Sequence, residues 1–305
     1  MDATPSLDDA VRRAFHPCEG PPRIGVELEL HLQSKPPGGI PDLAGELVER
    51  GRPSLEPGGQ LELSLPPQPS VAALVREVDW CLETLSATTD FALTGVDPWR
   101  ALDDVPLVLE TPRYLSMQQL FDRDGDAGRR MMRLTASLQV CVDLLPGRAG
   151  HEQWLVANLA GPSLVAAHPG HLARTRIWQD IDAARTGYDG RHLGVHDPVG
   201  SYAAFAAAAS RLPLPEAADD AYHLSTLFPP VRPRGGYLEL RYLDSQRPTH
   251  ELLGTIWALM YDAGLRRDAL ALLLPTLPTF GDQWEAADPT ALLALVAGRR
   301  EEVAA

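Results

Sequence analysis

The sequence IGVELELH at residues 24–31 decides the fold, because its apolar and polar side chains alternate without a break. In an extended strand the apolar side chains fall on one face, and the carboxylates Glu27 and Glu29 fall on the other. Two side chains two positions apart on a strand are about 7 Å apart. The segment therefore predicts a half-buried strand whose second face is acidic.

Three further segments show the same alternation, at 60–65, 135–143 and 237–242. The side chains that take the polar face in these segments include Glu62, Gln139, Glu239 and Arg241. Antiparallel sheets with one face on the core and one face in water have this pattern. A plain solvated sheet face has it too, and alternation alone leaves that alternative open.

Apolar residues at helical spacing predict five helices, at 71–87, 151–167, 201–211, 249–273 and 289–303. Ser70, Thr249 and Asp288 stand where the N-caps of three of these helices are expected. Strands and helices together predict an α+β fold. The composition does not shift along the chain, so we expect residues 1–305 to form a single domain.

The composition limits the classes of partner. A chain of 305 residues that is 45% hydrophobic and 22% charged is typical of a globular protein. Its net charge of -14 repels nucleic acid and anionic membrane surfaces, so we predict neither as a partner. Three widely spaced cysteines and a first twenty residues without an apolar signal segment favour the cytoplasm. The oligomeric state is not indicated.

Two kinds of side-chain chemistry are disfavoured. Lys35 is the only lysine, it lacks the frame of a phosphate-binding loop, and the prolines and glycines at 36–39 predict a turn around it. A P-loop ATPase and a pyridoxal phosphate enzyme are therefore not expected. Cys141 lies on a polar strand face, but no histidine can be paired with it from the sequence, and a free cysteine is often an inert core residue.

Glu27, Glu29 and Glu62 place only negative charge on the polar faces of the first two strands. If these strands are neighbours, something positive must offset the repulsion between the carboxylates. Mg²⁺ does so and is bound through carboxylate oxygens, waters and phosphates. The pattern therefore predicts a magnesium site, provided that the strands lie side by side.

Five motifs, in this order along the chain, resemble those of the plant-type glutamate-cysteine ligase family. They are GVELE at 25–29, LEPGGQLELS at 55–64, MM at 131–132 with TASLQV at 135–140, YHLSTLFPPVRPRG at 222–235 and LELR at 238–241. Within that family the chain most resembles the bacterial ligases that supply γ-glutamylcysteine for ergothioneine. The resemblance implies a curved, largely antiparallel sheet, a half-barrel with helices packed outside, whose concavity holds ATP, metal ions and glutamate.

The resemblance also implies the reaction and its residues. ATP would phosphorylate the γ-carboxylate of glutamate, and the amine of cysteine would displace the phosphate to form an amide. The implied metal ligands, for Mg²⁺, are Glu27, Glu29, Glu56, Glu62 and Glu239. Carboxylate side chains suit phosphoryl transfer, because they hold the metal ions that bridge the β- and γ-phosphates.

Three arginines and one glutamine complete the implied site. Arg241 would neutralise charge on the transferring phosphoryl group, although an ion pair with Glu239 on the same strand face is the simpler alternative. Gln139 would bond a substrate or a metal-bound water, or lie at the edge of the core. Arg176 and Arg185 would clamp the glutamate α-carboxylate or the triphosphate, unless they are ordinary surface residues of a helix.

The chain departs from the family in length. Relatives have more sequence between the motifs RTG at 185–187 and YHL at 222–224, and again at the C-terminus. If that region helps to hold the acceptor amine, cysteine is less secure as acceptor than the activation of a carboxylate by ATP. A ligase for another amine, a non-catalytic nucleotide- or amino-acid-binding relative and a metal-dependent phosphohydrolase remain as alternatives.

Overall fold

The computed structural model describes residues 6–34, 43, 45–168 and 172–304, with side chains up to residue 299. Lys35 and the predicted turn at 36–39 lie outside the described residues. Each neighbouring pair of strands in the single sheet is antiparallel, in the order β2-β3-β1-β5-β7-β6, and β4 pairs with the far end of β1. The strands are β1 Ile24–Leu32, β2 Pro53–Leu55, β3 Leu61–Gln68, β4 Phe91–Ala92, β5 Ser137–Asp143, β6 Val231–Pro233 and β7 Tyr237–Asp244.

The described helices lie before, between and after the strands. They are α1 Leu7–Ala14, α2 Gly45–Gly51, α3 Val71–Ser86, α4 Pro112–Phe121, α5 Ala127–Leu134, α6 Gly147–Leu159, α7 Gly161–Ala166, α8 Leu172–Gln179, α9 Ala183–Thr186, α10 Pro198–Ala208, α11 Asp220–Ser225, α12 His250–Tyr261, α13 Ala263–Leu273, α14 Phe280–Ala286 and α15 Thr290–Ala304. The α+β class with an antiparallel sheet is confirmed. None of the described helices has the length and apolar character that a bilayer span requires.

The apolar face of the sheet forms the floor of the core. Leu28, Leu63 and Leu138, from three adjacent strands, are completely buried. Helices α3, α6 and α7 pack over this face, and α12 packs on α3 and α6, as expected of helices packed outside the sheet. The register shifts between Ile24 and Val26 and between Leu138 and Val140, and irregularities of this kind bend strands.

Two predicted helices are each divided in two. The segment 151–167 breaks at Ala160, because Pro162 favours the first turn of a new helix, α7. The segment 249–273 breaks at Asp262, whose carboxylate accepts from the backbone of Gly264 and Leu265 and so caps α13.

The predicted N-caps Ser70 and Thr249 are confirmed, and Asp288 contacts the first residue of α15. The Ser70 hydroxyl accepts from the Ala73 amide at 3.2 Å, and the Thr249 hydroxyl accepts from the Leu252 amide at 3.1 Å. Asp288 accepts from the amide of Thr290 at 2.9 Å.

The polar face of the sheet is not left open to solvent. Residues of α4, α5, α8 and α11 stand around it and close a cavity above the strands. Helices therefore lie on both sides of the sheet, whereas the expectation placed them outside the concavity only. The helices α4, α5, α8 and α11 were missed because they have only 6 to 10 residues, too few to show a clear helical period of apolar residues.

Candidate active site

A cavity of about 180 Å³ lies on the polar face of the sheet. Its floor comes from β1, β3, β5, β6 and β7, and its walls come from the turn before β3 and from the surrounding helices. The charged and hydrogen-bonding side chains of the lining are Glu27, Glu29, Glu56, Gln60, Glu62, Arg113, Tyr114, Thr135, Gln139, Trp178, Ser225, Arg232 and Arg241. The predicted convergence of the polar strand faces is thus seen in the structure.

Three carboxylates meet at one end of the cavity. Glu29 and Glu62 are direct cross-strand partners of β1 and β3, and Glu56 reaches them from the turn before β3. One oxygen of each lies within 4.8 Å of the others. In the described part of the chain, this is the one group of side chains with the spacing of a metal site.

The turn that presents Glu56 depends on two glycines. The Glu56 amide donates to the Gln60 carbonyl at 2.8 Å, and the Gly59 amide donates to the Glu56 carbonyl at 2.8 Å. Gly59 has a φ of 85°, which favours glycine, and a Cβ on Gly58 would come within 2.4 Å of the backbone of Arg133. The glycine pair therefore shapes the turn.

The three carboxylates repel one another in a place with little water. Burial raises the pKa of Glu29, and the neighbouring Glu62 raises it further. Burial also raises the pKa of Glu56 well above its ordinary value, with added repulsion from Glu29 and Glu62. Oxygen donors that carry excess negative charge suit a hard divalent cation, so these residues fit the Mg²⁺ that the sequence predicts.

Glu27 lies beside this cluster in the same cavity. Burial, followed by repulsion from Glu239 and Glu62, raises its pKa to about 7. Glu27 is not part of the three-residue group, but its carboxylate adds to the negative potential that a cation would meet.

Glu239 has a different setting from the other predicted metal ligands. Its carboxylate is 1% exposed, and Arg232 binds both of its oxygens, at 2.6 and 3.2 Å. Arg241 adds a contact of 3.0 Å. Burial raises the pKa of Glu239, but the two guanidinium groups outweigh burial and hold the pKa below its ordinary value. The structure thus places Glu239 in an ion-pair network, outside the carboxylate cluster.

Gln139 connects the acidic and basic parts of the cavity. Its amide nitrogen donates to Glu29 at 2.8 Å, and its amide oxygen accepts from Arg241. The backbone amide of Ser137 donates to the second oxygen of Glu29 at 2.8 Å. Both Gln139 and Arg241 line the cavity, where the sequence placed them.

The structure does not bring Arg176 or Arg185 into the cavity. Arg176 lies on the surface, 60% exposed, where it pairs with Glu285 at 2.8 Å. Arg185 is completely buried and donates to the carbonyls of Thr226 and Ser210. Arg185 lies in a helix of only four residues, α9, so the sequence does not indicate which way its side chain points. A buried structural role and a ligand-binding role could therefore not be distinguished from the sequence.

Two other arginines line the cavity, where the sequence predicted Arg176 and Arg185. Arg232 lines the cavity from β6, and Arg113 lines it from α4. Arg113 donates to the side-chain and backbone oxygens of Ser225 at 2.9 and 2.7 Å. The alternation of apolar and polar residues in the segment VRPRG at 231–235 could have indicated that Arg232 lies on a polar strand face.

Cys141 takes no part in the cavity lining. Burial raises the pKa of its thiol well above the ordinary value, and Glu27 and Glu239 add to the rise. A neutral thiol is a weak nucleophile, so Cys141 is not a candidate for a catalytic nucleophile.

The fold and the cavity define a class of protein: an α+β domain with a cluster of carboxylates, suited to a divalent cation, on the polar face of an antiparallel sheet. Residues 23–300 match the model of glutamate-cysteine ligase family 2 (GCS2), and the chain belongs to this family.

Curated relatives agree with this assignment. The chain is 32% identical to glutamate–cysteine ligase EgtA of Mycolicibacterium smegmatis, over 73% of this chain and 65% of the relative. It is 31% identical to glutamate–cysteine ligase EgtA of Mycobacterium tuberculosis, over 73% of this chain and 64% of the relative. The chloroplastic glutamate–cysteine ligase of Nicotiana tabacum is 33% identical over 44% of this chain and 28% of its own. The chain thus spans somewhat less than two thirds of the length of the EgtA relatives.

A solved bifunctional glutathione synthetase from Pasteurella multocida aligns with 97% of this chain and 49% of its own. The TM-score is 0.46 and the sequence identity 12%, and no conclusion follows from a similarity this low.

Proposed function

We propose that this protein is an ATP- and Mg²⁺-dependent ligase that joins the γ-carboxylate of L-glutamate to the amine of L-cysteine. The observation that carries the proposal is the cluster of Glu29, Glu56 and Glu62, set in one cavity with Arg113, Arg232 and Arg241. Carboxylates that hold a cation, next to arginines that meet anions, are what phosphoryl transfer between two anions needs.

The proposed reaction has two steps. First, a γ-carboxylate oxygen of glutamate attacks the γ-phosphorus of ATP, and ADP leaves as the γ-glutamyl phosphate forms. The amine of cysteine then attacks the acyl carbon, loses a proton and releases phosphate. No protein nucleophile is required, in agreement with the raised pKa of the Cys141 thiol.

The residues of the chain have separate parts in these steps. Glu29, Glu56 and Glu62 would hold Mg²⁺, with Glu27 beside them, and the ion would offset the charge of the β- and γ-phosphates. Arg241, which Glu239 and Gln139 orient, would neutralise charge on the transferring phosphoryl group. Arg232 and Arg113 supply further positive charge at the rim of the cavity. The helices around the cavity limit the entry of water, which would otherwise hydrolyse the acyl phosphate.

Cysteine is proposed as acceptor because the EgtA relatives are named glutamate–cysteine ligases. The product, γ-glutamylcysteine, would serve the synthesis of a low-molecular-weight thiol such as ergothioneine. A reaction that consumes ATP and a free thiol belongs in a reducing compartment, so we place it in the cytoplasm. Small molecules are the proposed partners, with no nucleic acid and no membrane.

The test is the dependence of phosphate release on the amino acids. Purified protein with ATP, Mg²⁺, glutamate and cysteine should release phosphate only when both amino acids are present, and Glu62→Gln should abolish the release. Glu285→Gln, which alters an exposed ion pair away from the cavity, is the matched control and should retain activity. Phosphate release without any amino acid would favour a phosphohydrolase, and release with another amine would replace cysteine as acceptor. No phosphate release with any acceptor would overturn the ligase.

A further inference from the structure

Arg185 of α9 lies outside the lining of the candidate active-site cavity, and it is completely buried. Among the described residues, its guanidinium group donates to the carbonyl of Thr226 at 2.7 Å, to the hydroxyl of Thr226 at 3.0 Å and to the carbonyl of Ser210. Burial lowers the pKa of Arg185 to about 10, so the group is still charged at neutral pH. Taking a charge out of water costs free energy, and the hydrogen bonds to these oxygens offset that cost.

The main partner of Arg185 belongs to one wall of the cavity, residues 225–228, which we call the wall segment. Ser225 and Phe228 line the cavity, whereas Thr226 between them is completely buried. Arg185 holds the segment at two points, because its side chain bonds Thr226 and its carbonyl accepts from the Phe228 amide at 2.9 Å. The wall segment is thus fixed from its buried side.

On the cavity side, the wall segment holds two arginines. Arg113 donates to the hydroxyl of Ser225 at 2.9 Å and to its carbonyl at 2.7 Å, and the Arg113 Cζ lies 5.2 Å from the centre of the Tyr222 ring. Arg232 donates to the same carbonyl at 3.4 Å. The directions of both arginines therefore depend on Ser225, which precedes the residue that Arg185 bonds.

The shape of the guanidinium group matters for these contacts. Nη1 of Arg185 bonds Thr226, which follows α11, and Nη2 bonds Ser210, which follows α10. The planar fork thus joins the chain after α10 to the chain after α11. A lysine keeps the positive charge, but its single ammonium group cannot reproduce a fork with two nitrogens. Arg185→Lys therefore probes the joint contact without removing the charge.

We propose, on the basis of the proposed function, that Arg185 is a positioning residue for the binding of an anionic substrate. Through Thr226 it fixes Ser225, and Ser225 fixes the fork of Arg113 at the cavity. An arginine fork held in one orientation binds a carboxylate or a phosphate with defined geometry. Arg185 itself does not touch the substrate.

The experiment is steady-state kinetics of Arg185→Lys, Arg113→Lys and the double variant. Each single substitution should raise the KM for the same anionic substrate, ATP or glutamate, about tenfold, with kcat within about twofold of the wild type. Because both substitutions act on one contact, the double variant should exceed the larger single effect by no more than about twofold. Effects that multiply would overturn the positioning role.

Arg266→Lys is the matched control for a purely structural role. Arg266 is also buried and donates to a backbone carbonyl, that of Met260 at 2.9 Å, outside the cavity lining. Its substitution should lower the free energy of unfolding and leave every KM unchanged, and a raised KM in this variant would contradict the proposal. Thr226→Val keeps Arg185 and removes one acceptor, so it should raise the affected KM about fivefold even if Arg185→Lys does not fold.

Calorimetric titrations with Mg²⁺–ATP and with glutamate separate this proposal from the proposed function. If the wild type turns over but Arg185→Lys and Thr226→Val keep wild-type KM values, the positioning role is overturned and the ligase proposal stands. If the wild type binds either ligand without turnover, the proposed function fails, and the positioning role stands only if the Arg185 and Arg113 variants weaken that binding non-additively. Binding of neither ligand would overturn both.

Discussion

The side-chain amide of Gln139 donates to a carboxylate oxygen of Glu29 over 2.8 Å. The same amide accepts from Arg241, so one side chain fixes both a proposed metal ligand and the proposed phosphoryl-binding arginine. Groups that orient metal ligands commonly contribute 10- to 100-fold to metal affinity or activity, as rough values.

Replacement of Gln139 by leucine should therefore lower kcat/KM about 10- to 100-fold and weaken Mg²⁺ activation, with the fold intact by circular dichroism. Gln179→Leu removes a glutamine outside the cavity lining, which bonds the Gly281 carbonyl, and should leave kcat/KM near the wild-type value. Wild-type kinetics in the Gln139 variant would contradict its positioning role.

Glu239 and Glu56 should respond oppositely to neutralisation. Glu239→Gln leaves two guanidinium groups without their buried counter-charge and should lower the free energy of unfolding by about 3 kcal/mol. Glu56→Gln removes repulsion from Glu29 and Glu62 and should raise the free energy of unfolding in the absence of Mg²⁺. Denaturant titration without divalent cations measures both. Equal effects of the two substitutions would show that Glu239 belongs with the carboxylate cluster.

Stabilisation by Mg²⁺ should grow with pH. The pKa of Glu27 is raised to about 7, chiefly by burial, and the pKa values of Glu29 and Glu56 are also raised. Protons therefore compete with the cation below pH 7, and the competition ends as the carboxylates ionise. The increase in melting temperature on adding Mg²⁺ should be larger at pH 8 than at pH 6, and smaller at both in Glu56→Gln. A shift that does not depend on pH would contradict carboxylate binding of the ion.

The sequence predicted the features of the cavity that depend on neighbouring residues, and not those that depend on contacts between residues far apart along the chain. Alternation in β1, β3, β5 and β7 predicted which side chains share the polar face, because that pattern is local. The direct pairing of Glu29 with Glu62 depends on strand register, and the sequence of neither strand specifies its partner. The burial of Arg185 could not be predicted for the same reason: its carbonyl partners lie 25 and 41 residues away along the chain.

Mild acid should destabilise the fold through His192. This side chain is completely buried, its ring bonds the Asn158 amide oxygen at 2.8 Å, and burial lowers its pKa to about 3. The folded state keeps the ring neutral, whereas the unfolded chain binds a proton below about pH 6.5. The contribution of His192 is therefore complete above pH 6.5 and is lost as the pH falls toward 3.

Between pH 7 and pH 5, His192 should account for a loss of about 2 kcal/mol in the free energy of unfolding. Denaturant titrations at several pH values measure it, and His192→Gln should flatten the dependence over this range. His151→Gln, at an exposed position, is the control and should keep the wild-type slope. An unchanged slope in the His192 variant would rule out this source of acid sensitivity.

The central claim is that ATP activates the γ-carboxylate of glutamate in the cavity of Glu29, Glu56 and Glu62. Glutamate labelled with ¹⁸O in its γ-carboxylate tests it most directly, because the acyl phosphate transfers one carboxylate oxygen to phosphate. With ATP, Mg²⁺ and cysteine, mass spectrometry should find one ¹⁸O in each phosphate released, in equal amount to γ-glutamylcysteine, and neither product with Glu62→Gln. Unlabelled phosphate, or labelled phosphate at wild-type rate from Glu62→Gln, would contradict the claim.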